Sequence, residues 1–494
     1  MLLLGLDIGS SSIKAALVDA RTGITLGSVH APETEMAIHA TQPGWAEQDP
    51  ESWWQNCCTA VQALLRQTRA TPAEVAAIGI SYQMHGLVAL DTEGKSVRPA
   101  IIWCDGRAVP IGDAAFRALG EAFCLKNYLN SPGNFTASKL RWVRENEPER
   151  FARIRKFMLP GDYIAYRLTG EMATTVSGLS EGILWNFPQN EAAVDLLEHY
   201  GLDGSLLPPL VPTFGEQGHL TSSAAALLGL NPGVPVTYRA GDQPNNALAL
   251  NVLRPGDVAA TGGTSGVVYG VVDRLVPDAQ NRVNCFAHVN HRPEAPRIGV
   301  LLCINGCGIQ YAWLRRLLGG EGLSYTEMER LAAAVPIGSD GLCVLPFGNG
   351  PERMLGNRDI GGQIHGLNFN RHSTAHLSRA ALEGVAFAFA HGIGILRDLG
   401  LNLSVIRTGN DNLFQSAIFS ETLANLTGAQ IEVLATNGAT GAAKAAGVGA
   451  GIFGSPEEAA GDSAAVVRYM PGREASACRE AYSVWKGKLE NSII

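Results

Sequence analysis

The sequence has no Cys-x-x-Cys pair, and none of its nine cysteines is spaced with other Cys or His residues as zinc ligands would be. Free buried thiols are expected instead, although Cys303 and Cys307, four residues apart, could share a helix face. The odd count and the lack of a pairing pattern fit a reducing compartment, so a cytoplasmic location is expected. Charge is sparse: charged residues make up 17% of the chain, the formal net charge is −8, and there is no basic stripe. Nucleic acid is therefore not an expected partner. No apolar run reads as long enough to span a membrane, so no membrane partner is expected. The apolar start Met1-Leu2-Leu3-Leu4 is cut short by Asp7 and reads as a first β-strand rather than a signal segment.

What is present is length and clustered glycine. A chain of 494 residues exceeds one ordinary core, so two large domains are expected. Several of the 57 glycines sit in short clusters beside hydroxyl residues, which suggests working turns. Leu2 to Leu6, Ile13 to Val18 and Ile24 to Val29 read as an antiparallel meander, with Gly9-Ser10-Ser11-Ser12 as its first turn. Val258-Ala259-Ala260, then Thr261-Gly262-Gly263-Thr264-Ser265-Gly266, then Val267 to Val272 repeat that design near mid-chain. The expected division is residues 1–246 and 247–494. Helices are expected from Asp49-Pro50 to about Arg66, from Ser373 or Thr374 to Leu396 with Gly400 as the stop, and from Gly441 to about Gly451. The last of these is almost wholly Ala and Gly, so something must approach its backbone closely. The segment after about Gly454 reads as a peripheral tail with a terminal helix.

Three constellations carry chemistry. The two Gly/hydroxyl turns can offer backbone N–H groups and hydroxyls to an anion, one from each domain, and so grip a polyphosphate from both sides. Asp7 beside the first turn would repel phosphate unless Mg²⁺ or its water lay between them. A polar hairpin turn explains the first motif equally simply, and it is the repetition that favours phosphate binding. Second, Gln83-Met84-His85-Gly86, Trp103, Asp105 and Arg107 follow apolar runs, where polar groups often face a cleft and could bind a polyol. A core histidine and a surface ion pair explain them as well. Third, Ala240-Gly241-Asp242-Gln243-Pro244 places one carboxylate at a strand-to-helix junction. It could take a proton from a sugar hydroxyl during phosphoryl transfer, or simply cap the helix.

Ordered strings along nearly the whole chain resemble the FGGY family of carbohydrate kinases, and within it the xylulokinase group. They include Gly5-Leu6-Asp7-Ile8-Gly9-Ser10-Ser11, Trp45-Ala46-Glu47-Gln48-Asp49-Pro50, Gln83-Met84-His85-Gly86 and Ile102-Trp103-Cys104-Asp105-Gly106-Arg107. Phe135-Thr136-Ala137-Ser138-Lys139-Leu140, Leu159-Pro160-Gly161-Asp162-Tyr163 and Gly362-Gln363-Ile364-His365-Gly366-Leu367 follow in order. The resemblance implies an α/β fold of two actin/hexokinase-like (ribonuclease H-like) domains with an interdomain active-site cleft. It implies ATP-dependent phosphorylation of a ketopentose, D-xylulose to D-xylulose 5-phosphate, with Asp242 as the general base and ATP and Mg²⁺ as cofactors. Sedoheptulose or ribulose are alternative substrates, and an actin-like ATPase or a non-catalytic sugar sensor are alternatives of another class. The implied sugar contacts are Gln83, Met84, His85, Trp103, Asp105, Arg107 and Gln243. The implied nucleotide and phosphate contacts are Gly9, Ser10, Ser11, Gly263, Thr264, Ser265, Gly438, Ala439 and Gly441, with Asp7 at the metal. A homodimer is plausible for the family. Cys104, Ser138 and Gln243 depart from the residues usual there, as does Thr408-Gly409-Asn410-Asp411-Asn412 in the expected adenosine loop.

Overall fold

The apolar runs at the start of the chain pair as the alternating turns demand. Leu2–Ile8, Ile13–Asp19 and Thr25–Ala31 form an antiparallel meander. Val75–Tyr82 lies parallel to the first strand on its free side, and Val236–Gly241 lies parallel to Val75–Tyr82, completing a five-stranded sheet. These observations come from a computed structural model, which describes residues 1–319, 322–461 and 465–493.

The second half repeats the plan. Gly266–Val272 is antiparallel to both Asp257–Gly262 and Ile298–Ile304, while Val405–Gly409 adds in parallel beside Asp257–Gly262 and Gln430–Leu434 in parallel beside Val405–Gly409. Asn284–Ala287 and Val467–Tyr469 extend this sheet to seven strands at its two edges. The turns correspond as well: Ile8 pairs with Ile13 across the first, and Gly262 with Gly266 across the second. This is the duplicated actin/hexokinase-like, ribonuclease H-like architecture.

Each sheet ends by feeding a helix, Asp242–Ala249 in the first half and Gly438–Gly449 in the second. The two helices pack on one another: a Cβ on Gly441 would stand 2.6 Å from the Ala249 Cβ. The second also lies flat on the first sheet, where a Cβ on Gly5 or Gly79 would overlap the carbonyl oxygens of Ala439 and Ala442. The Ala/Gly composition of this helix thus serves close packing by the other half of the chain. It starts earlier than expected because Asn437 Oδ1 accepts from Thr440 N at 2.9 Å and caps it.

Helix Pro50–Thr68 begins as its sequence signals, with Asp49 Oδ1 accepting from Glu51 N at 3.0 Å. Three expectations change. Helix Thr374–Asp398 is long and apolar enough to cross a membrane, contrary to the reading that no such stretch exists. It is a core helix, with 83% of its most apolar window buried inside the protein. The C-terminal helix Ala475–Ile493 is not peripheral: Trp485 and Leu489 are buried in the main core, and the Trp485 indole donates to Val344 O at 2.9 Å. Cys303 and Cys307 share no helix face, because Cys303 lies in a strand and Cys307 precedes helix Gly308–Gly319. The nine cysteines are free, but Cys104 and Cys303 are exposed rather than buried.

Candidate active site

The two junction helices and the end of the first strand meet at one place. Asn245 Nδ2, on helix Asp242–Ala249, donates to Gly438 O at 2.9 Å and ties the two junctions together. Asp7 lies at the end of the first strand. Its Oδ1 accepts from Ser81 Oγ at 2.8 Å, and its Oδ2 would stand 2.6 Å from a Cβ on Gly438. Only glycine therefore fits at Gly438, directly beside the Asp7 carboxylate.

The first turn is braced from outside. Gly9 N donates to Ser12 O at 3.1 Å, Ser10 O accepts from Gln48 Nε2 at 2.7 Å, and Ser11 O accepts from Met36 N at 2.8 Å. In the second turn, Gly263 O and Thr264 O accept from Gly308 N and Ile309 N at 2.9 and 3.1 Å. The start of helix Gly308–Gly319 thus pins two carbonyls of that turn, while Thr264 and Ser265 stay exposed. This support lies some forty residues downstream of the turn, and no motif signalled it. An apolar cavity of about 400 Å³ lined by Ile309, Gln310, Trp313 and Pro346 adjoins it.

Asp242 is the first residue of its helix, and Gly241 is the cap position. Burial pushes its pKa up to about 7, and the charge of Asp7 adds to the rise, against opposing hydrogen bonds from Gln243. An acid of this kind takes and gives protons near neutral pH.

Met84 and His85 follow the strand Val75–Tyr82. His85 holds a left-handed backbone, φ 62°, and its Nδ1 lies 2.9 Å from Glu181 O. A main-chain carbonyl only accepts, so Nδ1 carries the proton and Nε2 is left as an acceptor. Burial holds the ring neutral, its pKa lowered to about 3. Phe135 and Phe286 pack against it edge-on and tilted, with ring centroids 4.8 and 5.2 Å away. Lys139, fully buried, donates from Nζ to His85 O and Ile102 O at 2.9 Å each. Burial lowers its pKa to about 7 despite the nearby Asp105. Neither Lys139 nor Glu181 was a candidate from sequence. For Lys139 the signal was a cation on the apolar face of helix Thr136–Asn146.

Gln83 is 3% exposed, and neither atom of its amide finds a protein partner, while its N donates to Ile8 O at 2.8 Å beside the first turn. An orphaned buried amide at this spot suits a ligand oxygen. Trp103 is half exposed, its indole nitrogen 3.4 Å from Ser10 Oγ, and forms a wall at the first turn.

Asp105 and Arg107 are placed differently. Arg107 donates to Asp105 through Nε at 2.9 Å and Nη2 at 2.6 Å, and Asp105 Oδ2 also accepts from Ala46 N at 2.5 Å. The Arg107 guanidinium lies over Trp45 at 3.8 Å and Trp142 at 4.7 Å, with Glu47 as a further ion partner at 2.7 Å. Both side chains are sealed, and the expectation of free polar groups for a sugar is replaced by a buried brace. Gly441 and Ala439 are likewise packing positions, against Ala249 and Gly5.

Residues 2–249 match the FGGY family of carbohydrate kinases, N-terminal domain, and residues 258–450 match its C-terminal domain. The chain belongs to the FGGY family of carbohydrate kinases. It is 31% identical to a xylulose kinase of Staphylococcus epidermidis over 82% of this chain and 79% of that protein. It is 30% identical to the xylulose kinase of Escherichia coli, over 92% and 90%. The crystal structure of xylulose kinase from Rhodospirillum rubrum superposes with a TM-score of 0.88 at 27% identity, covering 99% of both chains. Membership makes the chain an ATP-dependent sugar phosphotransferase with a small-molecule sugar as substrate.

Proposed function

We propose that this FGGY kinase phosphorylates D-xylulose at its 5-hydroxyl, with Asp242 as the general base. Asp242 carries the reading: a carboxylate at the strand-to-helix junction whose proton affinity is raised to near neutral by desolvation and by Asp7. Met84 and His85 hold the sugar, with His85 Nε2 accepting from one hydroxyl. Asp242 removes the proton from the reacting hydroxyl as that oxygen bonds to the terminal phosphorus of ATP, and the bond to the bridging oxygen of ADP breaks. The phosphate turns Gly9-Ser10-Ser11 and Gly263-Thr264-Ser265 hold the nucleotide. Asp7, with one oxygen turned toward Gly438 and away from Ser81, suits a hydrated Mg²⁺, which would supply charge neutralisation between phosphates and carboxylate. Closure of the two halves would exclude water. Xylulose kinase relatives over most of the chain support the choice of sugar.

The test is a coupled assay of ADP release across D-xylulose, D-ribulose, sedoheptulose and related polyols. D-Xylulose is expected to give the highest kcat/KM. A different best substrate would overturn the sugar assignment and leave the base assignment standing.

A further inference from the structure

One acid in this region has no task in the reaction just described. Glu181 ends the helix Val176–Glu181 at the floor between the two halves, where Ser180 Oγ accepts from Ala287 N at 3.1 Å. Glu181 is 1% exposed, and neither carboxyl oxygen has a partner in good hydrogen-bonding geometry among the described residues, the Tyr82 hydroxyl alone lying near enough to offer a weak one. A Cβ on Gly241, the residue before Asp242, would collide with Glu181 Oε2 and stand 2.6 Å from Met84 Cγ and 3.2 Å from its Sδ. Carboxyl, thioether and the base junction therefore converge on one spot.

The titratable groups facing the carboxyl include Asp242, Asp162 and the hydroxyls of Tyr82 and Tyr269, and Glu181 has no ion-pair partner among the described residues. Asp162 is itself paired with Arg239, Oδ1 to Nε at 3.1 Å. Burial and the neighbouring acids keep Glu181 well above the usual carboxylate range, hence protonated. A buried neutral carboxyl has one O–H donor and a carbonyl acceptor, the Tyr82 hydroxyl can serve only one of them, and leaving the other unused is unfavourable. The one structural task visible here, accepting from His85 Nδ1, falls to the Glu181 main-chain oxygen and needs no acid.

We propose that Glu181 is a specificity-determining residue of the sugar site, its carboxyl donating to one substrate oxygen and accepting from an adjacent hydroxyl once the Met84 side chain turns aside. The unbranched thioether of Met84 allows that turn at little cost. The proposal rests on the reading that Met84, His85 and Asp242 hold the sugar.

The experiment takes whichever sugar the wild-type enzyme phosphorylates best, with its singly deoxygenated analogues, and compares wild type, Glu181→Gln, Glu181→Ala and Glu181→Met. Glu181→Ala is expected to raise the sugar KM tenfold or more while the ATP KM stays within twofold. Wild type is expected to discriminate at least tenfold against one analogue, Glu181→Ala to lose that discrimination, and Glu181→Gln to regain most of it. If Glu181→Ala does not fold, Glu181→Met, of similar volume but without a hydrogen-bonding group, is read in its place. An unchanged sugar KM, or the same ranking of analogues with and without the carboxyl, would overturn the proposal. A fully active Asp242→Asn with altered ranking at Glu181 would instead sink the base assignment and leave this one standing.

Discussion

Asp242 and Asp105 both follow apolar strands, both stand beside a glycine, and from sequence both could face a sugar. The structure separates them by their partners. Asp105 is wholly buried but spent, closed by Arg107 and the Ala46 N–H. Asp242 is half-buried, has no ion-pair partner among the described residues, has another acid for a neighbour, and a proton affinity raised to about 7. Burial alone does not make a carboxylate reactive. A buried acid with its counter-ion in place is architecture, and one without it is poised to exchange a proton.

The largest break in that comparison is expected from Asp242→Asn. Removing a general base should lower kcat by roughly 10²–10⁴-fold, with nucleotide affinity kept. Asp105→Asn should do the reverse. It takes from a buried guanidinium one of its two carboxylates and leaves it Glu47 alone, so denaturant unfolding should show a loss of about 1–3 kcal/mol, with kcat of the folded fraction little changed. If Asp105→Asn were as inactive as Asp242→Asn while fully stable, the brace would be a binding group after all.

Lys139→Met should fall between them. It keeps the aliphatic stem but leaves His85 O and Ile102 O without their donor. The sugar KM should rise several-fold as the His85 turn loosens, read by steady-state kinetics against both substrates.

The pH dependence distinguishes the two acids more finely. The base works ionised, so kcat/KM should rise about tenfold per pH unit up to about 7 and then level off. Stability runs the other way. The Asp242 pKa is raised in the folded state from 3.8, so its contribution is fully present below about 3.8 and is lost as pH climbs through about 7. Asp242→Asn should therefore have a Tm equal to or above wild type at pH 8, the smallest of these effects. A clear drop in Tm at pH 8 would make Asp242 a structural cap.

The architecture was legible because the short apolar runs and the Gly/hydroxyl turns are local and occur twice. What escaped was set by distant partners. Gly441 reads as an open glycine until Ala249, nearly two hundred residues away in sequence, fills the space beside it. The helix Thr374–Asp398 reads alike for a core or a membrane, since only its neighbours decide. Arg107 belongs to Trp45 and Trp142, which no spacing rule links. Glu181 carries no motif at all, and its lack of an ion-pair partner among the described residues is visible only in three dimensions.

The most direct measurement is single-turnover sugar phosphorylation by Asp242→Asn, with nucleotide binding measured on the same preparation. The account predicts intact binding and phosphoryl transfer slowed by roughly 10²-fold or more. Transfer at near wild-type rate would contradict it, because no unpaired acid would then be needed at the strand end that feeds helix Asp242–Ala249.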